Sequence, residues 1–467
     1  MIDFLRQILG QRILNYYHLV CAIIANILYG FPSRKLHVIG VTGTDGKTTT
    51  VNMIASILRA AGLPTAHLST VNAQIGDKVY DTGLHTTTPS PFLLQKLIRR
   101  AVNAASFFLV LEVTSHALDQ YRTWGIKFET AVITNISHEH LDYHKGLSSY
   151  MAAKGRIFKN VEYGILNMDD GSYEYFSKIH PHLTSPLEGE ELKREQLLTY
   201  GLTANAKVWA DNIEESLIAT KFRVHPPDSK AGAMAETISI ELNLPGKFNV
   251  YNALAAISVG VNYNVAPEAI QKGLRGVSRI PGRLEFITPP SVPPHQAYPK
   301  SEYAFGGPRQ GEGRMRVMVD FAHTPNAIEN LMQFLRPKIS GKIIHVFGSA
   351  GERDVTKRPL MGAASDKYAD IIVLTREDNR SEQVQDICVQ IAQGITRKQN
   401  GKEYFIIPDR REAIRTALRL AQGSDDLIIV TGKGHEQSLN VGGVETPWDD
   451  REIVREVASS ATSRGGG

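Results

Sequence analysis

The chain has 467 residues, of which 42% are hydrophobic and 21% charged, and its formal net charge is +4. The length is too great for one ordinary hydrophobic core, so we expect a globular protein of two or three domains. So small a net charge gives no support to a nucleic-acid partner, and having only two cysteines, Cys21 and Cys388, excludes a disulfide framework and favours a reducing, cytoplasmic compartment.

Residues 11–31, QRILNYYHLVCAIIANILYGF, predict an apolar helix. Arg12, Asn15, His18 and Asn26 interrupt the run, and at about 100° per residue they fall within roughly a third of the helix circumference. This pattern favours a helix that packs on the following domain. The alternative is an interfacial helix that lies on a membrane or against a partner protein, whereas a membrane-spanning helix is the least favoured interpretation.

The next segment has the order strand, glycine-rich loop, helix. A β-branched run at 36–42 precedes GTDGKT at 43–48, and the residues at 49–62 have helical spacing and end on a glycine. Glycines let backbone N–H groups approach phosphates, the lysine reaches the terminal phosphates and the following hydroxyl can hold Mg²⁺. The flanking strand and helix argue against a coincidental glycine-rich turn. We therefore predict nucleotide binding by Gly43, Thr44, Asp45, Gly46, Lys47, Thr48 and Thr49.

Two further apolar runs, at 107–114 and 130–136, end in polar residues. Glu112 could complete a magnesium site with Thr48, although a solvent-exposed glutamate at a strand end would have the same pattern. The segment 134–146, TNISHEHLDYHKG, combines three histidines with two acids. A zinc site and a solvated polar loop are two interpretations of it, but the nearby phosphate loop favours magnesium and phosphate chemistry.

The C-terminal part repeats the alternation of strands and turns. A proline- and glycine-rich stretch at 287–316 lacks periodicity and predicts a flexible insertion, and the tail at 461–467 is expected to be disordered. Apolar runs that end in polar or glycine-rich turns lie at 316–325, 341–354, 369–380 and 425–436. They predict a second open sheet with its loops on one side.

These elements predict an α/β protein with two sheet domains. The N-terminal helix occupies 1–36, and a central P-loop ATPase domain with a doubly wound, mostly parallel sheet follows at 37–285. A C-terminal Rossmann-like α/β domain occupies 286–460. In such sheets the chemistry lies at the carboxyl ends of the parallel strands.

Motifs spread along the chain give a more specific indication. These motifs are GVTGTDGKTTT (40–50), TTTP (86–89), EVTSHALDQ (112–120), TNISHEHLDYH (134–144), YMAAKGRIF (150–158), GKFNVYNALAA (246–256), IPGRLE (280–285), VDFAHTPNA (319–327), GERDVTKRPLMG (351–362) and GKGHE (432–436). Taken in this order, they resemble the motifs of Mur ligases, most closely the MurE type, the UDP-N-acetylmuramoyl-tripeptide synthetases.

The resemblance implies ATP-dependent amide formation in peptidoglycan synthesis. The γ-phosphate of ATP would pass to a carboxylate of a muramoyl dipeptide, and the amine of an amino acid would attack the resulting acyl phosphate. Phosphorylation turns a poor electrophile into one with a good leaving group. Because the site holds two anions together, Mg²⁺, lysine and arginine must offset their repulsion.

The resemblance also assigns roles around ATP and Mg²⁺. Lys47 and Thr48 would contact the phosphates and a first magnesium with Glu112, and His140 would lie near a second magnesium. Lys154 matches a lysine that is carbamylated in this family, a modification that converts a cation into an anionic magnesium ligand. The remaining nucleotide residues are Asn249 and Asn252 near adenine, Arg283 at the domain junction, and Asp320 and His323 over the nucleotide.

Substrate residues follow from the same comparison. A MurE that adds meso-diaminopimelate carries Asp-Asn-Pro-Arg, which here becomes Glu377-Asp378-Asn379-Arg380 and keeps only the arginine that would clamp the distal carboxylate. Diaminopimelate is the first choice, with lysine or another amino acid as the alternative. Further positions are Arg358, Gly432 and Glu436 for the amino acid, and Thr87, Thr88 and Ser115 for the acceptor.

The N-terminal segment raises a question about the acceptor. A MurE has a UDP-binding domain before the phosphate loop, whereas here residues 1–36 consist largely of the apolar helix. This led to the hypothesis of an acceptor without UDP: a lipid-linked or free muropeptide, or a poly-amino-acid. A second alternative is a non-catalytic Mur-like scaffold, against which the retained Lys47, Thr48, Glu112, His140 and Lys154 argue.

Overall fold

The structure is a computed structural model that describes residues 2–80, 88–137, 139, 141–179, 196–227, 236–278, 280–287 and 316–462. The predicted insertion within 287–316 and the predicted tail fall almost wholly outside these residues.

A large sheet follows the first helix. Its strands are β1 (His37–Thr42), β2 (Thr65–Leu68), β3 (Ala73–Ile75), β4 (Lys78–Tyr80), β5 (Phe108–Glu112), β6 (Thr130–Ile133), β7 (Tyr163–Asn167), β8 (Leu197–Gly201), β9 (Val208–Glu215), β10 (Thr220–His225) and β11 (Ile238–Leu242). Their spatial order is β11-β10-β9-β8-β7-β6-β1-β5-β2-β3-β4. The strands from β9 to β2 are parallel, and both margins are antiparallel.

A second, six-stranded sheet follows. Its strands are β12 (Glu285–Ile287), β13 (Arg316–Asp320), β14 (Ile343–Phe347), β15 (Ile371–Leu374), β16 (Tyr404–Ile406) and β17 (Leu427–Thr431). The order is β12-β13-β17-β14-β15-β16, and only β12 is antiparallel to its neighbour. A hairpin of β18 (Ser438–Val441) and β19 (Val444–Pro447) follows β17.

Helices cover both faces of each sheet. They are α1 (Ile2–Tyr29), α2 (Lys47–Ala60), α3 (Pro91–Asn103), α4 (Ser115–Asp119), α5 (Leu141–His144), α6 (Leu147–Gly155), α7 (Tyr173–Ile179), α8 (Lys247–Asn262), α9 (Pro267–Arg275), α10 (Pro325–Leu335), α11 (Lys357–Tyr368), α12 (Val384–Ala392), α13 (Arg410–Leu420) and α14 (Asp450–Thr462). Alternate strand residues face opposite layers: Ile39 and Val41 pack with α2 and α8, whereas Val38 packs with α3. The predicted α/β class with two mostly parallel sheets is confirmed.

Strand register places the functional loops at one edge of each sheet. Val41 of β1 pairs with Glu112 of β5, and Thr42 pairs with Ile133 of β6, so the loops that follow β1, β5 and β6 leave the sheet side by side. In the second sheet Asp320 pairs with Thr431. The carboxyl ends of parallel strands therefore gather the candidate residues, as expected for an open α/β sheet.

Helix α1 packs on the layer that contains α3. Asn26 is fully buried and donates from Nδ2 to the Trp124 carbonyl at 2.7 Å, and Arg99 Nε donates to the Tyr29 carbonyl at 2.9 Å. In the middle of the helix, Asn15 Nδ2 donates to Asp119 Oδ2 at 3.1 Å. Two of the polar residues that interrupt the apolar run, Asn15 and Asn26, thus anchor the helix, as the first interpretation of the pattern expected. Of the helices in the described part of the chain, none combines the length and apolarity needed to cross a membrane.

Candidate active site

The phosphate loop joins β1 to α2 and depends on two glycines. Gly43 has a φ of 147° and Gly46 a φ of 81°, a region that favours glycine. A Cβ atom on Gly43 would overlap Thr134 Oγ1, and one on Gly46 would overlap Asn252 Oδ1. Lys47, the first residue of α2, donates from Nζ to the Thr44 carbonyl at 2.6 Å. The loop therefore curls over the N-terminus of a helix, an arrangement suited to anions.

Two hard oxygen donors meet below the loop. Thr48 Oγ1 donates to Glu112 Oε2 at 2.9 Å, and both residues are buried. Thr70 holds the carboxylate from the other side, with its N–H 2.9 Å from Oε2 and its hydroxyl 2.8 Å from Oε1. A hydroxyl and a carboxylate fit Mg²⁺, which takes few protein ligands and completes its shell with water and substrate phosphates. The predicted pairing of Thr48 with Glu112 is present in the geometry.

Lys154 is a buried amine beside the phosphate loop. Its Nζ donates to the Gly43 carbonyl at 2.6 Å, and the residue is 1% exposed. Burial lowers the pKa of Lys154 well below its usual value, and the charge of Lys47 lowers it further. Tyr150, one turn earlier on α6, lies with its hydroxyl 3.1 Å from Thr44 Oγ1. A lysine that gives up its proton readily is a better nucleophile than a solvated one.

A carboxylate bridges the two sheets at the site. Glu139 Oε1 lies 3.0 Å from His323 Nε2 and 3.8 Å from Lys357 Nζ, although it belongs to the region of the first sheet and they to that of the second. Burial alone would lower the pKa of His323, but the charge of Glu139 and its hydrogen bond outweigh burial and raise that pKa. His140, a predicted metal and catalytic residue, lies outside the described residues.

A cavity of about 300 Å³ opens between the two sheets beside the phosphate loop. Asn249 and Asn252 line it and are hydrogen-bonded to each other, from Nδ2 of Asn252 to Oδ1 of Asn249 at 3.0 Å. Its opposite wall carries Arg283, whose guanidinium lies 4.3 Å from the centre of the Phe321 ring. Asp320, at the end of β13, accepts the N–H of Leu284 at 2.7 Å, so its role in the geometry is to hold the Arg283 loop. The polar and aromatic lining suits a nucleoside.

A second cavity, of about 190 Å³, continues from the phosphate loop toward the loops of the second sheet. Arg380 lines it with a left-handed φ of 48°, and its Nη1 donates to the Gly351 carbonyl at 2.6 Å. Glu436 and Asp378 also line it, and both accept from the buried Lys433 Nζ, at 2.5 Å and 2.8 Å. An arginine and two carboxylates therefore face a space adjoining the phosphate loop.

Other predicted amino-acid residues lie at or behind the wall of this second cavity. Gly432 lines it with a φ of 107°, and a Cβ there would press on Glu377. Asn379 Nδ2 donates to the Glu382 carbonyl at 2.8 Å, which fixes the loop. Arg358 is fully buried and not among the lining residues, and it bonds Glu382 through two nitrogens, at 2.8 Å and 3.0 Å. The structure does not bring the Arg358 side chain into the cavity.

The predicted acceptor residues lie near the end of β5. Thr88 Oγ1 donates to the Glu112 carbonyl at 3.3 Å, and Arg122 Nη1 donates to the Thr88 carbonyl at 3.2 Å. Ser115, the first residue of α4, is buried. Thr87 lies outside the described residues.

Comparison with known proteins identifies this arrangement. The model of the Mur ligase middle domain matches residues 41–260, and that of the Mur ligase glutamate ligase domain matches residues 308–434. The chain belongs to the Mur ligase family. The members of this family are ATP-dependent ligases, and the resemblance drawn from the motifs is confirmed.

Individual Mur ligases are similar over most of the chain. A UDP-N-acetylmuramoyl-L-alanyl-D-glutamate–2,6-diaminopimelate ligase of Caldanaerobacter subterraneus subsp. tengcongensis is 37% identical over 440 residues, which cover 94% of this chain and 81% of that protein. The ligase of the same name from Aquifex aeolicus is 34% identical over 435 residues, covering 93% of this chain and 80% of that protein.

Solved structures show the same fold. A UDP-N-acetylmuramoyl-L-alanyl-D-glutamate–2,6-diaminopimelate ligase superposes with a TM-score of 0.56 at 29% identity, covering 91% of this chain and 79% of the other. The folylpolyglutamate synthase of Mycobacterium tuberculosis superposes with a TM-score of 0.68 at 18% identity, covering 90% and 93%. The second similarity concerns the fold alone.

Several residues at the site were not singled out by sequence reasoning. Each belongs to a motif or polar run from which only another residue was taken: Glu139 precedes His140, Tyr150 precedes Lys154, and Arg353 and Lys357 precede Arg358. Arg353 and Lys357 line the second cavity, whereas Arg358 does not. Their charge and their place just after a strand were available signals. The side on which each points was not, because it depends on how β14 leads into α11.

Proposed function

We propose that this Mur ligase adds meso-diaminopimelate to the D-glutamate carboxylate of a muramoyl dipeptide, through an acyl phosphate, in peptidoglycan synthesis. The observation that carries the proposal is the 37% identity, over 94% of the chain, to a protein named for that reaction. The two adjoining cavities support it, because one suits a nucleoside and the other combines an arginine with carboxylates at the phosphate loop.

The proposed reaction has two steps and would use both cavities. A carboxylate oxygen of the acceptor attacks the γ-phosphorus of ATP, the bond to the bridging oxygen breaks and ADP leaves. The amine of the incoming amino acid then attacks the acyl carbon, loses a proton and expels phosphate. Bound Mg²⁺ would supply charge neutralisation between the phosphates and the acceptor carboxylate. The donors that fit it are Thr48 and Glu112, with His140 and a carbamylated Lys154 proposed as further ligands.

The chain's own residues would bind and orient the reactants. Lys47 and the loop from Gly43 to Thr49 hold the phosphates, and Asn249 and Asn252 border the base. Arg283, half-buried at the junction of the two halves, lines both cavities. In a water-poor site its charge is available to stabilise the transferred phosphoryl group. His323 and Asp320 position the adjoining loop over the nucleotide.

Arg380, Asp378 and Glu436 would select the amino acid. Meso-diaminopimelate carries a second carboxylate and a second ammonium at its distal end. The arginine can pair with the carboxylate and the acids with the ammonium. Lysine offers the ammonium only, so Arg380 would lack its partner if lysine bound. Arg358, Asn379 and Gly432 would shape the loops around these three residues.

The proposal extends to the domains of the protein and to its location in the cell. We propose domain bounds of 1–36, 37–285 and 286–460, and acceptor contacts through Thr87, Thr88 and Ser115. The protein would work in the cytoplasm at the inner face of the membrane, where its small-molecule substrates and ATP are available. Contact with the membrane or with a partner protein would use the helix within residues 11–31.

The test is acceptor-dependent phosphate release with mass spectrometry of the product. Protein, ATP and Mg²⁺ are incubated with UDP-N-acetylmuramoyl-L-alanyl-D-glutamate and either meso-diaminopimelate or lysine. The expected result is phosphate release and a diaminopimelate-containing tripeptide, absent in Lys47→Ala. Lys159→Ala, which alters an exposed lysine beyond α6, serves as the matched control.

Other outcomes would redirect the assignment. Product only with the same muropeptide lacking UDP would overturn the UDP-linked acceptor while keeping the ligase. Product only with lysine would overturn the amino acid. No phosphate release with any acceptor would point to a scaffold.

A further inference from the structure

The outward face of α1 is apolar and exposed to solvent. Ile13, Tyr17, Val20, Ile24 and Ile27 are each between 50% and 64% exposed. Their spacing alternates between four residues and three, which aligns them in one stripe about 21 Å long on the helix surface. No charged residue occurs between Ile13 and Ser33. An apolar stripe along one face of a helix is the pattern of a helix that lies in the plane of an interface.

The opposite face of α1 fixes this orientation. Ala22, Ala25 and Asn26 are fully buried, and the hydrogen bonds of Asn26 to Trp124 and of Asn15 to Asp119 hold the middle and the C-terminal end of the helix. Rotating the stripe inward would break these bonds and expose the buried face. The five exposed residues Ile13, Tyr17, Val20, Ile24 and Ile27 therefore form a fixed surface, which we call the outer stripe.

The sequence around the outer stripe is strongly basic. Residues 4–44 and 91–103, the second range being α3 that packs beside α1, contain no Asp or Glu. Their basic residues are Arg6, Arg12, Arg34, Lys35, Lys96, Arg99 and Arg100. Because the whole chain has a net charge of only +4, the remainder of the molecule is net negative. Among the described residues, the segment that carries the outer stripe and the helix packed beside it, α3, therefore bring basic residues and no acidic ones.

Three of these basic residues lie at the C-terminal end of the stripe. Arg34 and Lys35 are exposed in the 3-10 turn after α1, and Arg99 donates to the carbonyl of Tyr29 in the last turn of the helix. An apolar stripe with cations beside it matches the two layers of a bilayer surface, acyl chains below and anionic headgroups above.

Size favours a lipid surface over a second copy of the chain. A stripe about 21 Å long on a helix about 10 Å wide offers roughly 200 Å² to a partner. A stable protein interface needs about 800 Å² on each side. A bilayer has no such requirement, because its surface deforms around the helix and its charge adds to the attraction. Two like-charged copies would also repel each other.

We propose that the outer stripe of α1 binds the surface of an anionic phospholipid bilayer, with Arg34, Lys35 and Arg99 at the headgroups. The helix lies in the plane of the interface, with the outer stripe toward the acyl chains and its opposite face packed on the protein. Tyr17, an aromatic residue with a polar tip, suits the boundary between acyl chains and water. This inference is independent of which acceptor or amino acid the ligase uses.

Vesicle co-sedimentation of the full chain tests the proposal. The vesicles are phosphatidylcholine alone or phosphatidylcholine mixed with phosphatidylglycerol. We expect the protein to sediment with the mixed vesicles, and added salt to weaken its binding. Ile24→Glu or Ile27→Glu should lower the partition coefficient by about tenfold or more, since each removes the burial of one large aliphatic side chain. Val389→Glu, at a residue 47% exposed on α12, is the control and should bind as wild type does.

A second variant keeps the face apolar and reports on it directly. Tyr17→Trp should show a blue-shifted fluorescence on addition of mixed vesicles and no shift with phosphatidylcholine alone. Thermal unfolding and nucleotide binding check that every variant is folded. The proposal is overturned if the wild type does not sediment, or if Ile24→Glu sediments equally. A concentration-dependent dimer that Ile24→Glu dissociates, without vesicle binding, would assign the face to a second copy instead.

Discussion

At the scale of single residues, burial lowers the pKa of the Lys154 amine and so makes it more nucleophilic. An ammonium group that is almost fully buried loses its hydration, and nearby Lys47 adds repulsion, so the pKa of Lys154 falls well below its usual value. A lowered pKa increases the fraction of neutral amine, which is the form that attacks CO₂, releasing a proton and leaving a carbamate. The product would be an anion in a place where the sequence put a cation, beside the phosphate loop.

The proposed carbamylation of Lys154 can be tested directly. With ¹³C-labelled bicarbonate, we expect a ¹³C carbamate resonance in the wild type and none in Lys154→Arg, since a guanidinium is not deprotonated in proteins. Lys159→Arg, at an exposed position nearby, should retain the signal. Ligase activity should fall by at least about a hundredfold in Lys154→Arg if the anion replaces a metal ligand. A carbamate signal that persists in Lys154→Arg would disprove the assignment.

Gly46 and Gly62 have similar backbone conformations, but only Gly46 lies in the phosphate loop, so substituting each one distinguishes an effect on ATP binding from an effect on stability. Gly46 and Gly62 have φ values of 81° and 77°, but only at Gly46 would a Cβ overlap another atom, Asn252 Oδ1. Gly62→Ala should lower the free energy of unfolding by about 1 kcal/mol and leave ATP affinity unchanged. Gly46→Ala should in addition weaken ATP binding by at least about tenfold, because Asn252 must move. Calorimetric titration measures this, and equal ATP affinity in the two variants would contradict it.

At the scale of elements, a buried ion pair joins α13 to α14. Arg410 and Asp450 are both inaccessible, and the guanidinium donates to the two carboxylate oxygens at 2.8 Å and 2.6 Å. Arg410 also donates to the carbonyls of Arg376 and Thr431, and so ties both helices to the loops that carry the amino-acid residues. One surface pair, Arg411 with Glu456, connects the same two helices at 2.6 Å but is largely exposed.

Removing one partner of each pair should therefore have very different effects. Asp450→Asn leaves a buried guanidinium without its counter-charge and should lower the free energy of unfolding by about 3–5 kcal/mol. Glu456→Gln should lower it by no more than about 0.5 kcal/mol, because water screens an exposed pair. Urea unfolding of both variants measures the difference. Comparable losses in the two would show that the buried pair is not the link between these helices.

At the scale of the whole molecule, polar contacts close the cleft between the two sheets. His323 meets Glu139 at 3.0 Å, and Asn326 Nδ2 donates to Asp45 Oδ2 at 3.3 Å. Both pairs lie beside the cavities assigned to ATP and to the amino acid. Binding and release of the substrates would require these contacts to open, so their strength affects turnover as well as stability.

The contact of His323 with Glu139 should depend on pH. The pKa of His323 is raised in the folded protein, so the stabilisation is complete below the unfolded value of about 6.5 and is lost as pH rises through the higher folded value. His323→Gln should lower the free energy of unfolding by about 1.5–3 kcal/mol near pH 6 and by less at pH 9. Denaturant titrations across this range test the trend, which a pH-independent difference would contradict.

Much of the molecule was predictable because it depends on local pattern. β-branched runs that end in glycine or polar residues predicted β1, β5, β6, β13, β14, β15 and β17, and the loop with a strand before it and a helix after it predicted the phosphate site. The pairing of Thr48 with Glu112 could be expected, because Thr48 lies just after the loop that follows β1 and Glu112 is the last residue of the neighbouring parallel strand β5. The family, too, was recognisable, because each of its motifs is a short, uninterrupted run of residues.

Tertiary structure alone decided which charged side chains share a space. Residues far apart in the chain, such as Glu139 and His323, meet only when two sheets face each other across a cleft, and local pattern carries no information about that approach. Neighbouring residues can also separate: Lys357 faces the cavity while Arg358 turns inward to Glu382, because consecutive positions on a helix point about 100° apart. The sequence by itself determined the main parallel strands, the phosphate loop and the family. The cleft, the burial of Lys154 and the outward face of α1 arose from packing.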